Sequence, residues 1–517
     1  MSKKEYLILP LLFIISFSYL IFFCKYGFNI ADEGVPLSGA LRIMHGEVPL
    51  KDFQGYMPGV YYFYYAILKV FGMDILTVRY VISFFTAIMI IMFYLASRKI
   101  MSTPFSLFGT FAILMVPGPY YVRFLSFFII INIVVFYTYI NTKPRSVFYM
   151  GIVGGVTFLF RQDLGLSVFF LAIAIFFIEK YLKDDGNYGE TIVEIKKYAF
   201  GYFLIILLPL TYYLYENKLF YILNANYNAF FGGYQNISLS FPAILSKRWD
   251  ELFLFYIPIS IYLVAFIHII NRIKNNNKKE IYKLYILLIG TLAFNQAVWR
   301  THPENIVKVI SPAIILYFYF FELLYYKLKT EAVLRWIVVI IFSLIPLSYV
   351  YVMNKNYGTY IASMDFSVSK YMLMDIQRAK VYALPHEASE YKEIVSYINN
   401  NTKTDDKIFI VPFTGIPLYF LSDKINPTWF EWILPPETKI YPDVEDKVIE
   451  SLSRDKTKLI IYVDFPLDGL ENRRFRNYAP KLYKWMMENY YLAEMIGEYQ
   501  ILKLKYNYLI KEAPKST

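Results

Sequence analysis

The chain has 517 residues, of which 57% are hydrophobic, 20% aromatic and only 18% charged, with a formal net charge of +11. This combination excludes a disordered chain, which needs low hydrophobicity, and a collagen-like or disulfide-rich chain, since there are 23 glycines and one cysteine. Because an average soluble domain is less apolar than this, we expect a polytopic membrane protein.

Long apolar runs recur from the N-terminus to about residue 353. A helix needs about 20 mostly apolar residues to cross the hydrocarbon core of a bilayer. The first run resembles a signal peptide, but it lacks a small-residue cleavage site and further runs follow it, so we expect a retained helix. In all we predict about eleven membrane spans, at residues 6–24, 75–97, 105–118, 124–141, 146–160, 165–180, 198–215, 251–270, 284–299, 305–325 and 336–352.

The basic residues concentrate in alternate loops of this arrangement, beginning with Lys3 and Lys4 before the first run. Loops rich in Lys and Arg face the cytoplasm, so we expect a cytoplasmic N-terminus. An odd number of spans then places the C-terminal segment outside the cytoplasm, in a plasma or inner membrane. The positive net charge is therefore explained by topology, and we expect no nucleic-acid partner.

From about residue 387 the pattern becomes that of a water-soluble α/β domain. Helical periodicity at 389–400, 444–453 and around Trp485 alternates with short apolar strands at 407–411 and 459–463, and an extended pair covers 491–504. This alternation predicts a small sheet flanked by helices. We therefore divide the chain into a transmembrane region at 1–353, a linker at 354–386 and an extracytoplasmic α/β domain at 387–517.

The loop after the first span is long and carries the acidic residues Asp32, Glu33 and Asp52. A helix is predicted up to His45, where Gly46 suits a helix C-terminus. A second, amphipathic helix is predicted over Gly59 to Phe71, and its run of tyrosines suits the membrane interface.

The acidic residues of this loop have more than one interpretation. Asp32 could cap the following helix with its carboxylate, or it could take a proton from an acceptor hydroxyl or amine, and the two roles are compatible. Glu33 is as consistent with a solvated side chain as with a catalytic one. Asp52 fits a turn residue or a residue of the site.

Two further polar segments fall in loops predicted to face outward. Arg161 and Asp163 follow the fifth run, where an arginine often only extends to the lipid headgroups. Arg300, His302 and Lys308 lie within nine residues after the ninth run. Contact with lipid headgroups would explain one such basic residue, but it does not explain the cluster. His302 is interpreted, in decreasing order of preference, as a phosphate donor, a structural residue or a metal ligand.

Together these segments predict one pocket at the outer membrane boundary, in which arginines hold an anionic lipid headgroup and a carboxylate deprotonates a nucleophile. Arginine suits phosphate because its planar guanidinium gives two directed hydrogen bonds. Asp32 and Glu33 leave a divalent-cation site open, but no compact ligand set of known spacing predicts one, so we expect no cofactor.

The first outer loop resembles that of GT-C fold glycosyltransferases, in particular the protein O-mannosyltransferase and lipid A aminoarabinose-transferase group. Two later segments, Arg161-Gln162-Asp163-Leu164-Gly165 and Arg300-Thr301-His302, resemble outer-loop motifs of bacterial members. The residues of the first loop that carry the resemblance are Asp32-Glu33-Gly34, Leu41, Gly46, Pro49, Asp52-Phe53, Pro58, Phe71-Gly72 and Val78-Arg79.

The resemblance implies a membrane all-α fold with an α/β domain, and inverting transfer of a hexose or pentose from a polyprenyl-phosphate donor to an extracytoplasmic protein, lipid or glycan. It implies that Asp32, with Glu33, binds or deprotonates the acceptor. Residues expected to hold the donor phosphate are Arg161, Arg300, His302 and Lys308, and those expected to contact acceptor or sugar are Asp52, Tyr56 and Asp163. One departure is that Tyr56-Met57 precede Pro58, where aminoarabinose-transferase relatives carry a Glu-Lys pair, which argues against lipid A modification.

Two other classes remain as alternatives, a transporter or flippase for a lipid-linked or anionic substrate, and a non-catalytic scaffold. Transporters tend to have repeated halves and substrate sites near the midplane of the membrane. This sequence has no internal repeat, and Glu322 and His268 fall near the predicted cytoplasmic ends of their spans. The sequence therefore favours the enzyme. The oligomeric state cannot be read from it.

Overall fold

The computed structural model of the chain describes residues 3–28, 32–55, 57–116, 124–142, 145–183, 188–215, 249–273, 278–328, 330–357 and 368–505. These residues form two compact units. The helical unit contains the described residues of 1–24, 80–216 and 238–366, and the α/β unit contains those of 25–79 and 367–517.

Each apolar run predicted from the sequence overlaps a helix, and the run at 305–325 is divided between two helices, Pro303–Val307 and Ser311–Lys327. In chain order the helices up to residue 357 are α1 (Lys3–Cys24), α2 (Gly34–Met44), α3 (Pro58–Phe71), α4 (Ile75–Ser97), α5 (Thr103–Met115), α6 (Leu125–Thr142), α7 (Arg145–Phe160), α8 (Gln162–Lys183), α9 (Tyr188–Tyr215), α10 (Trp249–Ile273), α11 (Lys278–Trp299), α12 (Pro303–Val307), α13 (Ser311–Lys327) and α14 (Ala332–Tyr357).

Within the described residues, eight of these helices are long and apolar enough to cross a membrane, namely α1, α4, α6, α8, α9, α10, α11 and α14. The other three predicted spans coincide with α5, α7 and α13, which have 13, 16 and 17 residues. A proline at the start of α5 and of α13 fixes where each helix begins. The orientation of the spans stays a prediction.

The core of the helical unit is built from aromatic and branched apolar side chains. Phe136 of α6 stacks on Tyr285 of α11 with ring centroids 3.9 Å apart, and both side chains are fully buried. Close backbone approach also contributes, because a Cβ on Gly151 of α7 would lie 2.1 Å from the carbonyl oxygen of Tyr198 of α9. Any larger residue at this position would push the two helices apart.

The α/β unit contains the sheet that the sequence predicts. Its strands are β3 (Phe409–Val411), β4 (Leu459–Val463), β5 (Tyr490–Ile496) and β6 (Tyr499–Leu504), in the order β3-β4-β6-β5. β3 and β4 are parallel, with Phe409 opposite Ile460, and the remaining pairs are antiparallel. A small ladder, β1 (Met372–Leu373) with β2 (Tyr382–Ala383), lies in the stretch that the sequence analysis interpreted as a linker.

Helices accompany the sheet close to the predicted positions. They are α15 (Pro385–Asn401), α16 (Pro417–Ser422), α17 (Pro435–Ile440), α18 (Val444–Arg454), α19 (Phe475–Tyr478) and α20 (Pro480–Asn489). The strongly amphipathic α18 buries Val444, Val448 and Leu452, which recur every four residues on one face.

The predicted helices of the first outer loop, α2 and α3, belong to this same unit. α2 ends at Met44, and Gly46 adopts a φ of +87°, as expected of a glycine just after a helix. α3 is amphipathic and buries Val60, Tyr61, Tyr64, Ile67 and Leu68. The α/β unit therefore includes a segment that the sequence analysis assigned to the transmembrane region.

Candidate functional site

The predicted catalytic carboxylate Asp32 lies half-buried in the turn before α2. The helix begins at Gly34, so the residue in the N-cap position is Glu33, and its side chain makes no capping hydrogen bond. Because Glu33 itself has helical backbone angles, with φ of −74° and ψ of −32°, a capping role for Asp32 stays a prediction. Asp32 therefore lies two residues before the first residue of α2.

Glu33 forms a buried ion pair that sequence reasoning missed. Its two carboxylate oxygens accept hydrogen bonds of 2.6 Å each from Nε and Nη2 of Arg79, near the start of α4. Nη1 of the same guanidinium donates to the carbonyl oxygen of Gly27 at 3.0 Å. Glu33 and Arg79 are only 3% and 2% exposed, so the pair is desolvated and fixes both ends of the segment that contains Asp32. A catalytic role for Glu33 stays a prediction.

Tyr64 of α3 lies close to this ion pair. Burial raises the pKa of the Tyr64 hydroxyl well above its usual value, the negative charge of Glu33 raises it further, and Arg79 opposes the shift. Among the residues that the structure describes, the hydroxyl has no hydrogen-bond partner. Tyr64 is therefore a neutral phenol beside a buried charge pair.

Asp52 stabilises the turn between α2 and α3. Its carboxylate accepts a 2.8 Å hydrogen bond from the backbone N–H of Val48, and its carbonyl oxygen accepts one of 3.3 Å from Arg42. These contacts match the interpretation of Asp52 as a turn residue, and its predicted role in acceptor or sugar binding stays a prediction. Tyr56 lies outside the described residues.

Arg42 joins the first outer loop to the C-terminal part of the same unit. Its Nη1 donates to a carboxylate oxygen of Glu431 at 2.7 Å and to the carbonyl of Thr428 at 3.1 Å. Its Nε pairs with Glu47, and its guanidinium carbon lies 4.7 Å from the ring centroid of Phe53. Arg42 is 2% and Glu431 1% exposed, so this ion pair is desolvated and connects α2 to the segment that contains Glu431.

A further buried carboxylate of the α/β unit, that of Glu437, has no arginine or lysine partner within the described ranges. It accepts hydrogen bonds from Nε2 of Gln54 at 3.2 Å, from Nε1 of Trp432 at 3.1 Å and from the backbone N–H of Leu434 at 3.0 Å. Burial raises its pKa to about 7, against the lowering effect of these hydrogen bonds. Nothing in the sequence pattern marks this residue, because its environment is made by segments about 380 residues apart.

Arg161, in the helical unit, lies between α7 and α8 as predicted, and is 7% exposed. Its Nε donates to Asp163 at 2.8 Å, and its Nη2 also contacts that carboxylate. Its Nη1 is buried and has no hydrogen-bond partner among the described residues. Among the residues that the structure describes, this buried guanidinium is therefore satisfied on one side only. The direct partner of Asp163 is Arg161, and a contact of Asp163 with acceptor or sugar stays a prediction.

Arg300 and His302 lie in the turn between α11 and α12, also in the helical unit. The N–H of His302 donates to the carbonyl of Arg300 at 2.8 Å, and Nδ2 of Asn305 donates to the same carbonyl at 2.9 Å. Lys308 follows α12 and is 6% exposed, with its Nζ 3.4 Å from Oδ1 of Asn305. Asn305 thus contacts the backbone of Arg300 and the side chain of Lys308.

The predicted site residues therefore divide between the two units. Asp32, Glu33 and Asp52 belong to the α/β unit, and the basic residues Arg161, Arg300, His302 and Lys308 belong to the helical unit with Asp163. Over the described part of the chain, no group of three or more His, Cys, Asp or Glu side chains forms a set that could hold a metal ion.

Comparison with known proteins gives matches to solved structures only, since no protein-family model and no curated protein matches the sequence. The oligosaccharyltransferase of Archaeoglobus fulgidus tethered with an acceptor peptide is 12% identical with a TM-score of 0.54, over 98% of this chain and 75% of that chain. AglB from the same archaeon, in complex with an inhibitory peptide and a dolichol-phosphate, is 10% identical with a TM-score of 0.54 over the same shares.

A bacterial structure matches over nearly the full length of both chains. ArnT from Cupriavidus metallidurans bound to undecaprenyl phosphate is 11% identical with a TM-score of 0.52, over 98% of this chain and 99% of that chain. At such identities the likeness concerns the fold. It confirms the fold expected from the first outer loop and the order of parts: this chain has a GT-C fold, a multispan helical region combined with an α/β domain.

Proposed function

We propose that this protein is an integral-membrane glycosyltransferase that moves a sugar from a polyprenyl-phosphate donor to an extracytoplasmic acceptor, with inversion at the anomeric carbon. The observation that carries the proposal is the likeness of 98% of the chain to structures solved with a lipid phosphate, dolichol-phosphate in AglB and undecaprenyl phosphate in ArnT. The whole chain, and not only its helical part, follows that architecture.

The reaction is a single in-line displacement. The acceptor oxygen or nitrogen forms a bond to the anomeric carbon while the bond from that carbon to the phosphate oxygen breaks. The acceptor proton passes to the carboxylate of Asp32, and the electron pair of the broken bond stays on the lipid phosphate. Proton removal by a positioned base contributes about 10²–10⁴-fold to a rate.

The leaving phosphate gains negative charge as the bond breaks, and cations positioned for that charge lower the barrier. Arg161 is suited to this role because it is buried and its Nη1 has no hydrogen-bond partner among the described residues. Arg300, His302 and Lys308 supply further donors from the segment around α12. The α/β unit supports the reaction through Arg79 and Glu33, which hold the turn that carries Asp32.

The test is a transfer assay with purified protein in lipid vesicles, supplied with polyprenyl-phosphate sugar and a cell-envelope acceptor fraction. We expect free polyprenyl phosphate to appear only when acceptor is present. Asp32→Asn should reduce that release by about 10²–10⁴-fold, whereas Glu190→Gln, which changes an exposed carboxylate of α9, should not.

Two results would contradict the proposal. Near-normal transfer by the Asp32→Asn protein would remove Asp32 from the mechanism. Movement of intact donor between the leaflets, with no release of polyprenyl phosphate under any acceptor condition, would favour the alternative of a transporter or flippase.

A further inference from the structure

The stretch that the sequence analysis interpreted as a linker forms a hairpin that is fixed to the chain just after α1. Its strands β1 and β2 pair antiparallel, with Leu373 opposite Tyr382. On its other side, β2 contacts the residues that directly follow α1. The N–H of Tyr382 donates to the carbonyl of Lys25 at 2.7 Å, and the N–H of Gly27 donates to the carbonyl of Tyr382 at 2.8 Å. Three extended segments are therefore joined side by side, with β2 in the centre.

The tip of the hairpin is fixed to the start of a second span. The N–H of Ile75, the first residue of α4, donates to the carbonyl of Arg378 at 3.0 Å. The first N–H groups of a helix have no acceptor within the helix, and here the hairpin supplies one. Nη2 of Arg378 also pairs with Asp423 at 2.7 Å. The hairpin is thus bound to the chain at the ends of two helices of membrane-spanning length.

These attachments place the hairpin close to a bilayer boundary. The apolar span within α1 covers Glu5–Cys24, 20 residues. At about 1.5 Å per residue its length is about 30 Å, the thickness of the hydrocarbon core. Lys25 is the next residue after this span, and consecutive Cα atoms are about 3.8 Å apart. The headgroup region outside the core is roughly 5–7 Å thick, so the base of the hairpin falls within that region.

The side chains at the base of the hairpin are typical of a membrane interface. The ring centroids of Tyr371 and Tyr382 lie 5.6 and 5.2 Å from that of Tyr26. Nζ of Lys25 lies 5.4 Å from the ring centroid of Tyr26, and Nζ of Lys370 lies 5.1 Å from that of Tyr371. Tyrosines are enriched where a bilayer meets water, and lysines there keep their ammonium groups at the headgroup level.

Strand β1 adds exposed apolar side chains next to these tyrosines and lysines. Met372 is 42% and Leu373 39% exposed, and adjacent residues of a strand point to opposite faces. Residues 370–383 also carry three basic side chains and one acidic one, a net charge of +2. Apolar groups beside basic ones suit an anionic bilayer surface, because the former leave water and the latter meet the headgroups.

We propose that the β1–β2 hairpin, together with Lys25, is a membrane-contacting surface that binds the headgroups of anionic phospholipids. Met372 and Leu373 enter the boundary between headgroups and acyl chains, and Lys25 and Lys370 lie among the lipid phosphates. A bilayer is the occupant that the structure favours, because the hairpin is hydrogen-bonded to residues at the ends of two spans. The surface does not depend on the proposed sugar transfer.

The experiment measures the depth of single side chains in a bilayer. In a Cys24→Ser background, Met372→Cys and Leu373→Cys are each labelled with a nitroxide. The full chain is reconstituted into nanodiscs of phosphatidylcholine, with or without phosphatidylglycerol. Collision of the nitroxide with oxygen, which partitions into lipid, is compared with its collision with a water-soluble nickel chelate. Leu470→Cys, at a position outside the hairpin that is 41% exposed, is the matched control.

We expect the ratio of oxygen to nickel-chelate collisions to be at least threefold higher for the labels at positions 372 and 373 than for the label at 470. Equal ratios at the three positions would overturn the proposal, because the hairpin would then be exposed to water. Since all three native side chains are exposed, each labelled protein should keep the thermal unfolding midpoint of the unlabelled Cys24→Ser protein.

A double variant, Lys25→Gln with Lys370→Gln, tests the charge. With both lysines present, phosphatidylglycerol should raise the collision ratio at position 373 at least twofold, and the double variant should abolish this rise. Lys447→Gln with Lys484→Gln, which removes two exposed cations of α18 and α20, should leave the rise intact. A rise that persists in the first double variant, or that is missing when all four lysines are present, would overturn the assignment to anionic lipid.

Discussion

Buried arginines have different surroundings in the two units. In the α/β unit, Arg42 directs its nitrogens to the carboxylates of Glu47 and Glu431 and to the carbonyls of Thr428 and Asp52. Arg79 of the same unit holds Glu33 with two nitrogens and the carbonyl of Gly27 with the third. These guanidinium groups are matched by acceptors of the protein itself.

In the helical unit, Arg161 contacts one carboxylate, that of Asp163, and its Nη1 is buried without a partner among the described residues. Leaving a buried donor unsatisfied costs about 1–3 kcal/mol. The comparison teaches that Arg42 and Arg79 are matched by acceptors of the protein, whereas Arg161 keeps one donor without an acceptor among the described residues, the donor that the proposed function assigns to the lipid phosphate. The predictions below test this difference, beginning with the largest expected effect.

Breaking the Glu33–Arg79 pair should cost the most. Glu33→Gln leaves a buried guanidinium without its counter-charge, and removal of one partner of such a pair typically costs about 3–5 kcal/mol. A urea titration of the purified protein, followed by tryptophan fluorescence, measures this loss. The double variant Glu33→Gln with Arg79→Met should recover part of it, because no charge is then left unpaired. Wild-type stability of the single variant would mean that the pair contributes nothing to the fold.

Glu437 is a buried carboxylate that pairs with no arginine or lysine among the described residues, and it should make stability depend on pH. Its pKa is about 7 in the folded protein against an ordinary value of 4.5. The folded state therefore binds the proton more tightly than the unfolded state. The resulting stabilisation is complete below about pH 4.5 and is lost as the pH rises through 7, a change of about 3 kcal/mol at most.

Glu437→Gln should remove this loss, because the amide carries no charge and can donate to Oε1 of Gln54, which has no hydrogen-bond partner within the described part of the chain. Relative to the wild type, the variant should gain stability between pH 5 and pH 8. The thermal unfolding midpoints of both proteins across that range measure the effect. Parallel curves for the two proteins would show that the Glu437 carboxyl titrates in its ordinary range.

For Arg161 the effect should fall on binding and leave stability nearly unchanged. Arg161→Gln removes a cation whose partner Asp163 has a side chain that is 45% exposed and can be solvated. Loss of a hydrogen bond to a charged group, about 1.5–3 kcal/mol, should weaken polyprenyl phosphate binding about 10–100-fold. Arg272→Gln, which removes an exposed cation at the end of α10, is the control. Equal affinity of the two variants for polyprenyl phosphate would show that Arg161 does not differ in role from the buried arginines of the α/β unit.

The smallest effect is expected at Tyr64. Because its buried hydroxyl has no partner among the described residues, Tyr64→Phe should change the unfolding free energy by less than about 1 kcal/mol. Tyr419→Phe is the matched comparison, since the Tyr419 hydroxyl accepts a 2.8 Å hydrogen bond from the N–H of Ile410, and its loss should cost about 1–3 kcal/mol. Equal losses in the same urea titration would indicate that the Tyr64 hydroxyl is also engaged.

Local patterns predicted most of the elements. Apolar runs located the spanning helices, and alternation located β4 and α18 to within one residue at either end. The glycine after His45 marked the end of α2 correctly. These features depend on residues close together in the chain, which is where periodicity and capping rules apply.

Periodicity and capping rules do not predict the contacts between distant residues that position the candidate site residues. Glu33 and Arg79 are 46 residues apart, and Arg42 and Glu431 are 389 residues apart. A single sequence does not indicate which distant partner a charged residue will meet. For the same reason the hydrogen bond between Lys25 and Tyr382 could not be read from the sequence, although each residue by itself was visible in it.

The separation of Arg42 from Glu431 has a consequence for biosynthesis. A ribosome adds about 5–20 residues per second, so Glu431 is synthesised roughly 20–80 s after Arg42. During that interval α2 is already made, and Glu47 is the acidic partner of Arg42 that has already been synthesised. The packing of the segment that contains Thr428 and Glu431 against α2 is therefore completed only late in synthesis. A chain that ends before residue 426 would leave the guanidinium of Arg42 without these partners and exposed to cellular quality control.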